Sequence, residues 1–409
     1  MRVLRLALRN LRRNLRRSII TGIAISLGLA LLIVSSGFGD GAHGAMIEKG
    51  VATMAGHVVV QGAGWQQKRD NDILVPDTPA VVSELRAMFP DATVTQRVYL
   101  QGLLTSPTGS VGVGLSAVLP DDERRVDDLH QKFTAGSYLD GQPNGLVLGQ
   151  TLAETLGVGV GDKVVLMIQK RGEIVSQLFR VQGLFKVGVD EIDGFYAQIP
   201  LATAQQMLGL GREVTQVSLH LKSHKQAAAA TERVRAALAA PGLEILPWQE
   251  ALPDLFMWIA LDDAGLYIMI LIIAVVVLLG IVNTVLMSVL ERVREFGVML
   301  AIGAAPRQLV LLVLTEAALL GLFAVIVGLA LGLLGNWPLA ANGLNFSDMT
   351  GGQAVEAGGV ALDLHFRTDL SPGKVALFCL LSFVMTVVSA IYPAVKVATL
   401  KPIACLQHR

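Results

Sequence analysis

The sequence predicts an α-helical membrane protein with four transmembrane helices and a mixed α/β extracytoplasmic domain. Three observations carry this expectation. Four apolar stretches are long enough to cross a bilayer, the first 17 residues hold seven arginines and no acid, and strand-like and helix-like periodicities alternate between the first two stretches. Composition agrees, because 53% hydrophobic residues and a mean hydropathy of +0.56 exceed the norm for a soluble domain.

Residues 1–18 form a basic segment in which Arg2, Arg5, Arg9, Arg12, Arg13, Arg16 and Arg17 place the N-terminus in the cytoplasm and can touch anionic lipid headgroups. The first span covers 19–38. Its apolar part exceeds the roughly 7 to 15 residues of a signal peptide, so it is expected to be retained. Residues 39–263 then lie outside and 264–290 form the second span. Residues 291–307 lie inside, and 308–334 hold an interfacial turn and the third span, which is apolar from about residue 317. The outer loop 335–374 carries Asp348, Glu356, Asp363 and Asp369 against Arg367 and Lys374. That acidic excess agrees with the orientation. The fourth span is 375–394, and the cytoplasmic tail 395–409 carries Lys396, Lys401 and Arg409.

Within 39–263, His57, Val58, Val59, Val60 and Gln61 read as a strand, and 78–89 as a helix entered through Pro79 with Val81, Val82, Leu85 and Met88 on one face. A second strand-helix unit follows late in the segment. Val217, Leu219 and Leu221 alternate, Ser223 can cap an alanine-rich helix, and Pro241-Gly242 stops it. These units can pair in one subdomain. Between them, 163–168 and 174–181 flank a turn around Lys170-Arg171-Gly172-Glu173, which predicts a hairpin in an inserted β-rich part. The two cysteines, Cys379 and Cys405, fall in the fourth span and the tail, so no disulfide staples the outer domain.

Several chemistries find no support. The formal net charge is zero and the basic face follows the positive-inside rule, which argues against nucleic acid. His220 and His224 are four apart but straddle a strand-to-helix change, with no cysteine or acidic cluster to complete a zinc site. Gly157 to Lys163 lacks the Lys-Ser or Lys-Thr ending of a phosphate loop. No catalytic elbow or His-Glu-x-x-His motif is found, so no catalytic residue, cofactor or metal is expected on the chain.

The charge-free run 264–290 empties into Glu291, Arg292, Val293, Arg294, Glu295, Phe296 and Gly297, followed by Leu300 and Gly303. At about 1.5 Å per residue such a helix crosses the roughly 30 Å core and projects beyond it with its charges. Val293, Phe296 and Leu300 share one face, and Arg292 and Arg294 offer opposite charge to Glu295 and Glu291 at i,i+3. The segment reads as a docking element with a polar rim, or as a self-compensated amphipathic helix at the headgroups. Gly303 ends it. Glu316 lies near the inner headgroup boundary, where an ionisable group needs a partner, in coupling or in ordinary pairing. Gly22 and Ser26, and Gly328 and Gly332, are candidate packing faces. Trp258, Tyr267 and Trp337 fall near outer membrane surfaces, as belt residues do.

Four pieces of sequence resemble the four-span ABC-transporter permeases, which include the FtsX-like, lipoprotein-releasing and MacB-type proteins. They are Leu6-Ala7-Leu8-Arg9-Asn10-Leu11 leading into Ile25-Ser26-Leu27-Gly28; Val147-Leu148-Gly149-Gln150 with Gly159-Val160-Gly161-Asp162-Lys163; the junction Glu291 to Ala304; and Tyr392-Pro393-Ala394 through Lys401-Pro402. The resemblance implies a bacterial inner-membrane protein whose periplasmic domain has a porter-like part interrupted by a β-rich part. It also implies a second permease in the complex and a separate ATPase that binds ATP and Mg, with Glu291, Arg292, Arg294, Glu295, Phe296, Gly297, Leu300 and Gly303 as the ATPase-coupling segment. Nothing in the sequence resembles a nucleotide-binding domain, and by size the lipoprotein-release branch fits best, with a lipoprotein client. Export of a small molecule or peptide with an outer-membrane partner, and a mechanical scaffold for a periplasmic hydrolase, remain the alternatives.

Overall fold

The structure, a computed structural model, describes residues 2–13, 15–170, 173–238, 240–345, 355–357, 360–362 and 365–398. Arg171 and Gly172 of the expected turn, Asp348 and Asp363 of the outer loop, and Lys401, Cys405 and Arg409 of the tail lie outside the described residues. The chain divides into two compact units. One comprises Met1–His43, Leu261–Leu344 and Phe366–Arg409, and the other Gly44–Ala260 and Asn345–His365.

In chain order the first elements are α1 (Arg2–Arg13) and α2 (Leu15–Met54), whose last turns belong to the α/β unit. That unit continues with β1 (Val58–Gly62), α3 (Trp65–Lys68), α4 (Thr78–Met88), β2 (Thr93–Thr105), β3 (Ser110–Val118) and α5 (Pro120–Glu123). Then follow β4 (Phe133–Gly136), β5 (Gly145–Gly149), α6 (Gln150–Leu156), β6 (Lys163–Lys170), β7 (Glu173–Phe185), α7 (Asp190–Asp193) and β8 (Tyr196–Pro200). Last come α8 (Leu201–Leu208), β9 (Gln216–His220), α9 (Ala227–Ala237), β10 (Leu243–Pro247) and α10 (Trp248–Ala251).

The strands make one sheet in the order β10-β1-β9-β2-β3-β8-β5-β7-β4, with β6 joining β2 and β7. The two strand-helix units distant in sequence meet, since β1 pairs antiparallel with β9 at Val58↔Leu219. β9 lies between β1 and β2 and all five of its residues are buried, whereas its alternating pattern suggests a half-buried strand. β2 ties the two parts of the sheet together. Its start pairs with β9 and its end with β6, where a Cβ at Gly102 would lie 2.6 Å from the Met167 carbonyl oxygen, so only glycine lets the strands approach. β6 and β7 pair in register from Lys163↔Arg180 to Lys170↔Glu173, so the hairpin forms with its turn outside the described residues.

α2 runs well beyond the span ending at residue 38. Met46, Ile47 and Val51 bury against Ala227, Trp248, Leu255 and Ile259, so packing within the α/β unit holds the last turns. Their end is capped from the sheet. Arg97 on β2, fully buried, donates to the carbonyls of Ala52 at 2.9 Å and Thr53 at 3.1 Å and forms an ion pair with the buried Glu123. A cation placed there satisfies orphan carbonyls and complements the helix dipole.

The two histidines weighed as metal ligands go to different partners. His220 is buried against the Thr95 hydroxyl at 3.0 Å, and burial, with the charges of Arg97 and His57, holds its pKa well below the usual value, which keeps it neutral. His224 contacts the Glu48 carboxylate at 2.9 Å, and His57 contacts the same carboxylate at 3.1 Å. Among the described residues no three His, Cys, Asp or Glu side chains are disposed to hold a metal.

The membrane unit is built by the first part of α2 with α11 (Pro253–Glu291), α12 (Val293–Ala301), α13 (Pro306–Asn342), α14 (Pro372–Ser389) and α15 (Ile391–Ala398). Among the described residues, four helical stretches are long and apolar enough to cross a membrane: Ser18–Met54, Pro253–Glu291, Pro306–Asn342 and Pro372–Val397. The last is interrupted at Ala390, because Pro393 lacks an N–H and its ring would collide with the Ser389 carbonyl in a continuous helix. Tyr267 and Trp337 are exposed on this unit, Trp258 is exposed on the α/β unit, and Cys379 is part-buried on α14.

Small residues bring α2 and α13 together. A Cβ at Gly328 would lie 2.9 Å from the Ser26 carbonyl oxygen, and one at Gly332 would lie 2.9 Å from the Ile33 Cβ. The Ser26 hydroxyl reaches the carbonyls of Gly22 at 2.7 Å and Ala324 at 2.9 Å. Gly22 itself is at ordinary contact distance, 3.6 Å, from Leu320. Replacing Gly328 and Gly332 together by leucine is therefore expected to destabilise the membrane unit by about 1 to 3 kcal/mol or more through overpacking, while leaving cargo choice unchanged in whatever protein survives. Size-exclusion yield and thermal unfolding in detergent measure the first, and normal yield with altered cargo would contradict it.

Candidate functional site

The apolar run of α11 ends at Glu291, and Arg292 leaves helical geometry at φ −107° and ψ 9°, so α12 begins as a separate short helix. It closes at Gly303, whose φ of +97° lies in the region that glycine adopts without strain. The Ala304 N–H bonds back to the Met299 carbonyl at 2.9 Å, and Pro306 opens α13 after a two-residue turn. The Gln308 side chain accepts from the Ala305 N–H at 3.2 Å, satisfying one donor at that helix start.

The apolar face of α12 packs onto the membrane unit itself. Phe296 is fully buried among Ala7, Val289, Leu309, Leu312, Val313, Ala394 and Val397, Val293 and Gly297 are buried, and Leu300 packs against the same cluster. Arg292 turns inward with them and is only 7% exposed. One of its terminal nitrogens lies 3.0 Å from both carboxylate oxygens of Glu316, its Nε lies 3.2 Å from Glu295, and its guanidinium lies 5.1 Å from the centroid of Phe296. Glu316 also accepts from the Asn10 amide at 2.6 Å. Among the described residues the Glu316 carboxylate therefore has two partners, from α1 and from the α11–α12 junction.

Glu295 pairs with Arg292 and with Arg13 of α1. Burial pushes its carboxyl up, but hydrogen bonds from Arg13 and Arg292 outweigh this and hold it below the usual carboxylate range. Arg13, Asn10 and Ala7 had no individual place in the sequence reading, where the N-terminal arginines serve topology. Their signal is the i,i+3 series Ala7, Asn10 and Arg13 on one stripe of α1.

What faces outward is the other side of α12. Glu291, Arg294, Val298, Ala301 and Ile302 are exposed, and Ile302, at 80%, is the most exposed large aliphatic side chain of this segment. Of the expected coupling residues, Arg292, Phe296, Gly297 and in part Glu295 and Leu300 seat the helix, while Glu291 and Arg294 are exposed; beside them Val298 and Ile302, which the sequence reading did not single out, give the outward face an apolar centre with a charged rim. Gly303 forms the turn beside them.

Comparison with known proteins gives this arrangement a family. Residues 18–237 match the family model described as MacB-like periplasmic core domain, and residues 267–402 match that described as FtsX-like permease C-terminal. The fold is that of a multi-pass ABC-transporter permease, and the chain belongs to the FtsX-like, MacB-like family. It is 25% identical over 316 residues to the lipoprotein-releasing system transmembrane protein LolC of Neisseria meningitidis serogroup B, covering 75% of this chain and 76% of that one. It is 25% identical over 401 residues to LolC of Xylella fastidiosa, covering 94% and 92%. It is also 26% identical over 405 residues to the macrolide export ATP-binding/permease protein MacB of Nitrobacter winogradskyi, covering 93% of this chain and 56% of that protein.

Proposed function

We propose that this permease is the membrane subunit of a bacterial inner-membrane ABC transporter that releases lipoproteins, its α/β unit lying in the periplasm. ATP and Mg belong to a separate ATPase, which engages the outward face of α12, and a second permease, a copy or a paralogue, completes the complex. The observation that carries the coupling role is the division of α12 into a buried anchoring face and an exposed face of Arg294, Val298 and Ile302. A short helix clamped to α1 and α13 transmits force where a loose one would yield. Release as the work is supported by LolC relatives matched over nearly their whole length. The match to MacB over 93% of this chain favours export as the second reading.

Replacing Arg294 with Glu and Ile302 with Asp tests the coupling face. The permease should fold normally, since both side chains are exposed, while co-purification with the ATPase and ATP-driven lipoprotein release should fall by at least about tenfold, as for loss of a central contact worth ~1.4 kcal/mol or more. Wild-type complex formation by the double variant would end this assignment. Lipoprotein retained in proteoliposomes while a soluble peptide is expelled would replace release by export.

A further inference from the structure

The α/β unit contains a cavity of about 430 Å³ between the last turn of α2, α3, the β2–β3 surface, Phe195 and the chain at Ala251 and Leu252. Its volume falls within the range of roughly 300 to 1,000 Å³ typical of small-molecule sites. The walls are mostly apolar or aromatic, among them Met54, Tyr99, Leu115, Phe195 and Leu252. The polar groups are distributed unevenly. At one end Lys49 is neutralised by Asp127 and Asp128, and Lys132 by Asp128.

At the other end polar groups lack partners. Trp65 is 2% exposed, yet its indole N–H has no acceptor, and the Thr53 hydroxyl is likewise without a partner. Arg69 places its guanidinium 4.4 Å from the centroid of the Trp65 ring; Asp254 acts on it electrostatically, but among the described residues no carboxylate forms a close ion pair with it. Buried donors are normally satisfied, and a guanidinium stacked on an aromatic ring still has in-plane N–H groups to offer an anion. The Arg69 guanidinium calls for acceptor oxygens with negative charge, beside a volume that calls for hydrocarbon or an aromatic body.

We propose that this cavity binds a small amphiphile with an anionic head, its carboxylate or phosphate held by the Arg69 guanidinium and its apolar body lying between Tyr99, Leu115 and Phe195. The site lies wholly within the α/β unit and does not depend on which cargo the transporter moves. Because Thr53 and Met54 end α2 while Ala251 and Leu252 lead into α11, a bound amphiphile braces the places where both long helices enter this unit.

The test uses the full chain in phosphatidylcholine nanodiscs and dodecanoate carrying a terminal diazirine, with labelled peptides identified by mass spectrometry. Label should fall on peptides containing Met54, Tyr99 or Phe195. Excess dodecanoate or dodecyl phosphate should suppress it at least about tenfold and dodecanol by less than about twofold, the difference expected when a charge-assisted hydrogen bond is lost. Whichever anion competes at lower concentration assigns the head as carboxylate or phosphate, and either result supports the site. Arg69→Gln should reduce labelling by about tenfold. Gln101→Trp, which fills the cavity from an exposed position on β2, should do the same without altering thermal unfolding. Label absent from these peptides, equal competition by dodecanol, or Gln101→Trp labelling like the wild type would each overturn the proposal. Since no ATPase or cargo is present, failure here leaves the transport assignment untouched, and failure of the transport assignment leaves this site standing.

Discussion

Replacing Arg97 with leucine is expected to cost the α/β unit about 3 to 5 kcal/mol, a large part of the roughly 5 to 15 kcal/mol by which a folded domain is stable. The guanidinium is fully buried and joins three elements: β2, which carries it, the end of α2 through the Ala52 and Thr53 carbonyls, and α5 through Glu123. Leucine would leave Glu123, itself 3% exposed, without its cation, and would orphan two carbonyls at the end of a helix. Tyr99, whose hydroxyl accepts from Arg97 at 3.1 Å and donates to the Met54 carbonyl, would lose one of its two bonds. Arg97→Lys keeps the charge but cannot reach all these acceptors, so an intermediate loss is expected. The double variant Arg97→Met, Glu123→Met should regain much of the stability, because the penalty of the single change comes mainly from the stranded carboxylate. Protease protection of the α/β unit in nanodiscs measures all three. A loss below about 1 kcal/mol for the leucine variant would show that the buried pair does not hold this junction.

The lengths of the apolar runs made the four membrane helices legible, because a bilayer imposes a length on any helix that crosses it. The continuation of α2 was not legible. The sequence bounds the first span at residue 38, where the apolar run gives way to Gly39, Asp40 and Gly41. In the structure Gly41 serves close packing: a Cβ there would collide with the Arg367 carbonyl oxygen, a neighbour more than 300 residues away in sequence. The remaining turns depend on Val51 and Met46 finding Trp248 and on Arg97 finding the helix end, contacts that no local pattern contains. The site divides in the same way. The i,i+3 pair of Arg292 with Glu295 could be read from spacing, and it forms at 3.2 Å. The need of Glu316 for a partner was legible from its depth, but its partners were not, because Arg292 and Asn10 stand 24 and 306 residues away.

Removing Arg292 alone should therefore do more damage than removing any exposed charge of α12. Among the described residues, Arg292→Met leaves Glu316 largely buried with only the Asn10 amide to face it, and releases the cation that joins the α11–α12 junction to α13. Breaking a buried pair from one side costs about 3 to 5 kcal/mol, so the yield of monodisperse protein should collapse while Arg294→Met leaves it unchanged. Arg292→Lys preserves the charge, yet one ammonium cannot bond Glu316, bond Glu295 and lie over Phe296 at once, so an intermediate yield is expected. Arg292→Met with Glu316→Met should restore folding, since no uncompensated charge remains and methionine fits an apolar environment. If the ion pair serves to seat α12, ATP-driven release should return with the fold in that double variant, because Phe296 and Val293 still hold the helix and Arg294, Val298 and Ile302 still face outward. Wild-type yield from Arg292→Met alone would mean that the apolar face suffices and that the buried charges do not anchor α12.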